Sequence, residues 1–495
     1  MAQLRPTFMG LETTKRGLMV QQKALDIIAN NVSNVKTKGY TRQRLDTVTV
    51  QVYGSDRFAG SSIPLAGQGV DMKGVAQIRD SFLDSKFRQE YGDVGYYDQS
   101  AVILDEIQAA ISDPEVDGSG IQNALKMISQ ALSDFSGNPQ DETHANIVMN
   151  SFMGLTQVLN EYDTKLKGIR ESQIYDLSVS VNDINTKLAQ LTDLNKTITH
   201  EIFLNTDYDG VVYGPNDLLD QRNVILDELA RYGDVKVSNK SDGSIQVKFN
   251  GQVVVESEGG NFWNDSIKLA DDGVSMKWNR DNRTVALPTG SLRSYNEALT
   301  GDNSLNKGIP YYQHKLDTMA SKLAEVFNRI IPETYQTADP KIPDTYKKLL
   351  QGDEDGNVTA GNISISDVWA NDASYLLEKN NPSGQMATDN ILSMKKLLDD
   401  DLQMGEFNGS FYEYVTHVTT TLGTQISTND ARLKSCVATA NSVDTDRMSQ
   451  SGVSLNEEGV NMMSYNKAYQ ALGRLMTTMD EQLDILINSV GLVGR

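Results

Sequence analysis

The chain has 495 residues, with 45 basic against 66 acidic side chains, a formal net charge of −21, and 39% hydrophobic residues. A single core rarely extends over that length, so several domains are expected. The acidic excess disfavours non-specific attraction to nucleic acid or an anionic membrane, so neither is expected as a partner.

No run approaches the roughly 18 apolar residues of a membrane-spanning helix. The first thirty residues lack the apolar stretch of a cleaved secretory signal, which at face value means the cytoplasm unless export reads another signal. Cys436 is the single cysteine and gives no intrachain disulfide, while His144, His200, His314 and His417 are scattered far apart. That leaves little for a zinc site or a histidine-based triad, and no metal or cofactor is expected.

At the N-terminal end, Leu11, Leu18, Leu25 and Val32 recur every seven residues, with Ile28 and Val35 on the adjoining row. Gly10, Gly17 and Ala24 repeat at the same interval. Each glycine costs a helix interior about 1 kcal/mol, so their recurrence points to close approach by another backbone. The helix runs out in Asn30, Asn31, Ser33 and Asn34, then Lys36, Thr37, Lys38, Gly39, Tyr40, Arg42 and Arg44. Amides can bond the last free carbonyls, Gly39 suits a left-handed stop, and cations after a helix C-terminus meet its dipole favourably. This explains each residue type but not the concentration of asparagines.

From Asp80 to about Leu204 the pattern is helical, with breaks at Pro114–Gly118 and at the sequence SGNPQD. Apolar and polar residues then alternate through Val235, Val237, Ile245, Val247, Phe249 and Val253, with turn signals at Asp242-Gly243 and Asn250-Gly251. Roughly 205–300 therefore reads as an inserted β-rich domain. Helical periodicity returns over Ile309–Ile330 and Phe411–Val443, whereas 332–408 is loop-rich and hard to place.

The C-terminal end carries the strictest pattern. Met462, Tyr465, Tyr469, Leu472, Met476, Met479, Leu483, Leu486 and Val490 alternate spacings of three and four. That is a coiled-coil seam, with Ser454 and Glu457 as a capping box at its start. One amphipathic helix on a globular core is the plainer alternative. Seams at both ends of a chain that goes out and returns predict that the ends pair antiparallel.

Chemical motifs do not assemble. Asp353, Asp355 and Asn357 have calcium-loop spacing, but Val358 and Ser364 stand where the loop needs glycine and glutamate, so a surface turn is expected. His200-Glu201 lacks a second histidine four residues on. Triplets such as Asn195-Lys-Thr197 and Asn408-Gly-Ser410 match glycosylation acceptors, as chance allows in an Asn-rich chain. No catalytic set, and hence no enzyme, is expected.

The segment ANNVSNVKTKGYTRQR resembles the N-terminal signature of bacterial flagellar axial proteins, the rod, hook and hook-associated group, at Asn30, Asn31, Asn34, Thr37, Gly39 and Tyr40. Lys38 departs from the proline common before that glycine. The C-terminal helix, with Ala468-Tyr469-Gln470-Ala471 at its centre, resembles the same group. NDLLDQRNVILDEL, GIPYYQHKLDTMASKLAEVFN and GLVGR narrow the resemblance to the FlgK type of hook-associated protein.

The resemblance implies a mostly α fold with an inserted β domain. Residues 1–55 with 450–495 would form an inner coiled-coil domain, 56–204 with 301–449 a helical-bundle layer, and 205–300 a small outer β domain. It implies a non-catalytic structural subunit of the extracellular flagellum, linking hook to filament and permitting filament assembly. The implied partners are copies of itself in a ring, the hook protein, a second hook-associated junction protein, and an export chaperone on the C-terminal seam. Export would follow the flagellar type III route without a cleaved signal. The alternatives are another axial protein, hook or distal rod, and a secreted enzyme carried on flagellar-type ends.

Overall fold

The computed structural model describes residues 7–50, 69–111, 120–139, 141–205, 214–332, 346–377 and 389–489. In chain order the helices are α1 (Thr7–Ser33), α2 (Ser81–Ile111), α3 (Gly120–Gly137), α4 (Glu142–Asn205), α5 (Asn216–Ala230), α6 (Ser291–Thr300) and α7 (Ile309–Phe327). They continue with α8 (Asp367–Asn371), α9 (Asp389–Asp399), α10 (Phe411–Ser451) and α11 (Leu455–Asp484). The strands are β1 (Gln43–Thr49), β2 (Val70–Gln77), β3 (Val235–Asn239), β4 (Ile245–Phe249), β5 (Gln252–Glu258) and β6 (Asn261–Asn264). After these come β7 (Ile267–Leu269), β8 (Met276–Trp278), β9 (Leu350–Gln351), β10 (Ser364–Ile365), β11 (Leu402–Met404) and β12 (Phe407–Gly409). The chain is mostly helical with small antiparallel sheets.

Two compact units divide it. The first holds residues up to Tyr91, Ile184–Ser266 and those from Val437 on; the second holds Gly92–Asp183 and Ile267–Cys436. These lines differ from the three domains expected from sequence, and local anchoring explains why. The four-stranded sheet β3-β4-β5-β6 lies in the first unit, where Asn195 of α4 pairs with the backbone of Ile245. The β7–β8 hairpin lies in the second, its Gly273 turn facing Ile174 of α4. Both α5 and α6 fall inside the stretch read as β-rich.

In the first unit, α1 and α11 pair antiparallel. Gly10 faces Met479 and Gly17 faces Leu472, seven residues forward on one helix and seven back on the other. An added Cβ would come 2.9 Å from Met479 Cε and 3.0 Å from Leu472 Cδ1, so the glycines let the side chains sit against the α1 backbone. Thr14, Val20, Ala24, Ile27, Ile28 and Asn31 complete the buried side of α1. Ser454 caps α11 by accepting from Glu457 N–H, as the capping box predicts.

The second unit has its own core. Phe152, Phe327 and Trp369 cluster with ring centroids 5.0 and 5.3 Å apart, between α4, α7 and α8. Helix α7 buries nine side chains, Ile309 to Phe327, on rows three and four apart. The acidic turn at Asp353 is a surface loop in which Asp353 accepts from Asn357 N–H at 2.8 Å.

Gly17→Leu is expected to overpack the α1–α11 contact by about 1–3 kcal/mol. The second-site change Leu472→Ala should return part of that loss. Thermal unfolding of the single and double variants checks this, and additive losses would show that Gly17 and Leu472 do not meet.

Candidate functional site

In the first unit the axial-motif residues form a hook stitched to its own helix. Asn31, 1% exposed at the end of α1, donates Nδ2 to Gln43 O at 2.9 Å. Its Oδ1 accepts from Gln43 N–H at 3.0 Å and from the Tyr40 hydroxyl at 2.8 Å. One side-chain amide thus pairs with both backbone groups of Gln43, as a neighbouring strand would. Burial, with Asp220 and Glu458 nearby, pushes the Tyr40 hydroxyl up to about 12, so it keeps the proton that it donates.

Asn30 and Asn34 play a different part on the exposed side. Asn30 Nδ2 donates to the Tyr40 hydroxyl at 3.2 Å. Asn34 Nδ2 donates to Asn30 O and Oδ1, both at 3.0 Å, and Asn34 Oδ1 accepts from Thr37 Oγ1 at 3.1 Å. Gly39 has φ +82°, and a Cβ there would lie 2.2 Å from Val224 Cγ2 on α5. The glycine is needed twice, for left-handed backbone and for room. Lys38 reaches Glu228 of α5 at 3.3 Å while 83% exposed, a contact of small energetic weight. An open groove of about 810 Å³ borders the hook, lined by Asn30, Thr37, Lys38, Asp217 and Val224 among others.

Beyond the hook, Thr41 donates its N–H and hydroxyl to Asp220, at 3.2 and 2.6 Å. Burial raises the Asp220 carboxyl above its ordinary value, against the bonds from Thr41 and Gln77 and the nearby Arg79 charge. Arg42 then ties the hook to the start of α11. Its Nε bonds Glu458 and its Nη1 bonds Glu457, both at 2.7 Å, and its N–H donates to Ser451 O at 2.8 Å. The ends of the sequence are thereby joined by charge as well as by helix packing. A second ionic cluster brings together Arg88 of α2, Asp227 of α5 and Arg447 of α10, with 2.7 and 2.6 Å contacts to Asp227.

The structure places the expected seams as follows. Tyr465, Leu472, Met476, Met479 and Leu483 are part-buried on α11, whereas Met462 and Tyr469 are each 40% exposed. Leu486 lies in a π-helical turn, Ile485–Ser489, past the end of α11, and Val490 lies outside the described residues. On α1, Ile28 is buried, while Leu11, Leu18, Leu25, Val32 and Val35 are part-exposed beside the glycine row. Asn195 is fully buried and committed to Ile245, which removes it as a glycan acceptor. Among the described residues, no group of His, Cys, Asp and Glu could hold a metal ion. No helix there is long and apolar enough to cross a membrane.

Comparison with known proteins adds the family. The model described as flagella basal body rod protein matches residues 11–41, and that for the flagellar basal body rod FlgEFG protein C-terminal matches 446–489. Those two segments cover α1 from Leu11 on with its hook, and α11, and they define a flagellar axial structural protein. The model for the flagellar hook-associated protein FlgK helical domain matches residues 104–338. Flagellar hook-associated protein 1 of Bacillus subtilis is 29% identical over 517 residues, covering 99% of both chains. The protein of that name from Escherichia coli K12 is 25% identical over 63% of this chain and 55% of its own length. The flagellar hook junction protein FlgK from Burkholderia pseudomallei shares the fold, with a TM-score of 0.55 at 12% identity over 75% of this chain and all of that one. By these matches the chain is similar to the FlgK type of flagellar hook-associated proteins.

Asn31→Ala is expected to cost about 1–3 kcal/mol, because it removes a buried amide and leaves the part-buried backbone groups of Gln43 without it. Asn34→Ala, on the exposed side, should stay within about 0.5 kcal/mol. Chemical denaturation of both variants checks the division of labour, and equal losses would overturn it.

Proposed function

We propose that this chain is a non-catalytic subunit of the hook–filament junction, where copies of it form a ring that lets the filament grow on the hook. The observation that carries this reading is the α1–α11 pair. Its two helices come from opposite ends of the chain and lock in register, yet much of their apolar surface stays open. Met19 is 50% exposed, Val460 61% and Met463 60%. Apolar surface of this kind marks a contact with another molecule. The FlgK helical-domain match favours the junction over the hook or rod.

Neighbouring copies would meet head to tail, as a ring requires. The hook protein would lie on one side and a second hook-associated protein on the other. Export through the flagellar type III apparatus leaves the seam from Met462 to Val490 without neighbours in transit, and a chaperone would cover it there. The axial-motif residues would then serve by holding the hook that carries Arg42 to α11.

A null strain complemented with Val460→Asp/Met463→Asp is expected to show bare hooks and flagellin lost to the medium. The purified double variant should keep its melting temperature within about 2 °C, since neither side chain is buried. Full filaments on the variant's hooks would overturn the assignment of this surface. Full filaments in the null strain itself would overturn the junction role.

A further inference from the structure

We infer that the open apolar surface of the α1–α11 pair is sensitive to oxidation. Met19, Met462 and Met463 are its modification sites, and methionine sulfoxide formed there before a neighbour docks blocks that docking. The inference rests on the proposed ring and adds a regulation of its contact surface.

Methionine is concentrated where the ends of the chain meet. Six of the 17 methionines lie on α1 and α11, which are 27 and 30 residues long in a chain of 495. The apolar rows of paired helices are usually filled by leucine, isoleucine and valine, which mild oxidants leave untouched. A thioether fills the same space but brings one oxidisable atom.

Position sorts these residues into two classes. Met19 is 50% exposed, Met462 40% and Met463 60%, so the medium reaches them in a single copy. Met476 and Met479, further along α11, are part-buried. Met479 is shielded most closely. Its Sδ accepts from the Thr14 hydroxyl at 3.7 Å and lies 3.2 Å from where a Cβ on Gly10 would stand. A lone pair of that sulfur is engaged and the α1 backbone lies against it, which leaves little room for an added oxygen.

The reaction takes a two-electron oxidant, and a peroxide is the class that serves. A sulfur lone pair attacks one peroxide oxygen, and the S–O bond forms as the O–O bond breaks. The departing hydroxide takes the remaining proton and leaves as water, so sulfur is oxidised and the peroxide reduced. The sulfoxide is a polar acceptor on a surface whose other exposed side chains include Leu455, Val460 and Leu475. A neighbour that covers it without supplying a donor leaves it desolvated and unpaired, which opposes docking. Once docked, the neighbour keeps peroxide from the same sulfurs, so assembly protects the residues on which it depends.

The test uses the purified full chain and hooks isolated from a null strain. Brief treatment with hydrogen peroxide, stopped with catalase, should place oxygen on Met19, Met462 and Met463 well before Met476 and Met479, as read by peptide mass spectrometry. The treated protein should keep its melting temperature, while its binding to hooks falls roughly tenfold for each sulfoxide buried without a donor. In Met19→Leu/Met462→Leu/Met463→Leu, treated and untreated protein should bind hooks equally. Treated parent that binds as well as untreated parent would overturn the inference. So would earlier oxidation of Met476 and Met479, or a leucine variant that loses as much binding on treatment as the parent. Each of these results leaves the junction role standing, because untreated parent still binds hooks. Untreated parent that binds no hook would overturn both.

Discussion

The approach of α1 to α11 across Gly10 and Gly17 governs how the first unit is put together. On each helix the contact residues are seven apart, so Met479 reaches Gly10 when Leu472 reaches Gly17. A shift by one turn would drive a leucine or methionine against a residue that has a Cβ. Register is thus set by where side chains are missing. The Thr14 hydroxyl lies between the two notches and approaches the Met479 thioether at 3.7 Å.

Side-chain amides solve the next problem, how a helix surface receives irregular backbone. Asn31 pairs with Gln43 beyond the hook, and Asn195 pairs with Ile245 at the start of β4. Both are 1% exposed or less, and each offers one donor and one acceptor to a strand that would otherwise end against a helix. Arg222 adds to the second junction, donating to Asn195 Oδ1 and to Gly243 O. Burial, with Arg88 and Arg79 nearby, lowers its guanidinium to about 10, so the position is costly and tolerated for those bonds.

The sequence reveals what is written in local periods. The paired ends, the long helices and the alternation of β3–β5 all follow from spacings of 3.5 or 2. The hook was visible as a cluster of asparagines, but not the split between buried Asn31 and surface Asn30 and Asn34, because identical residue types carry both roles. Asn195 reads as a chance glycosylation triplet, since its partner Ile245 lies fifty positions away. The leucine row of α1 draws the eye by hydrophobicity, while Met479 and Leu472 of α11 lie against Gly10 and Gly17 in the row beside it. Likewise Lys38, in place of a proline, needs no compensation: the turn relies on Gly39 and on the bonds of Asn34, Thr37 and Tyr40, none of which requires a proline ring.

Burial along the helices separates stability from assembly. Helix α7 buries nine side chains in 19 residues and belongs wholly to its own unit. Helix α11 has the stricter heptad and is 30 residues long, yet its one fully buried residue is Glu458, an anion held by Arg42. A helix of that pattern gains most of its stability from packing, because propensity alone leaves isolated helices marginal in water. The α1–α11 pair in a single copy therefore has the register of a coiled coil without its full burial. Neighbours that cover the remaining apolar side bind the ordered form and stabilise it by mass action. If copies assemble as proposed, folding of these ends and growth of the assembly would be one equilibrium, with the charge latch at Arg42 holding the two helices together beforehand.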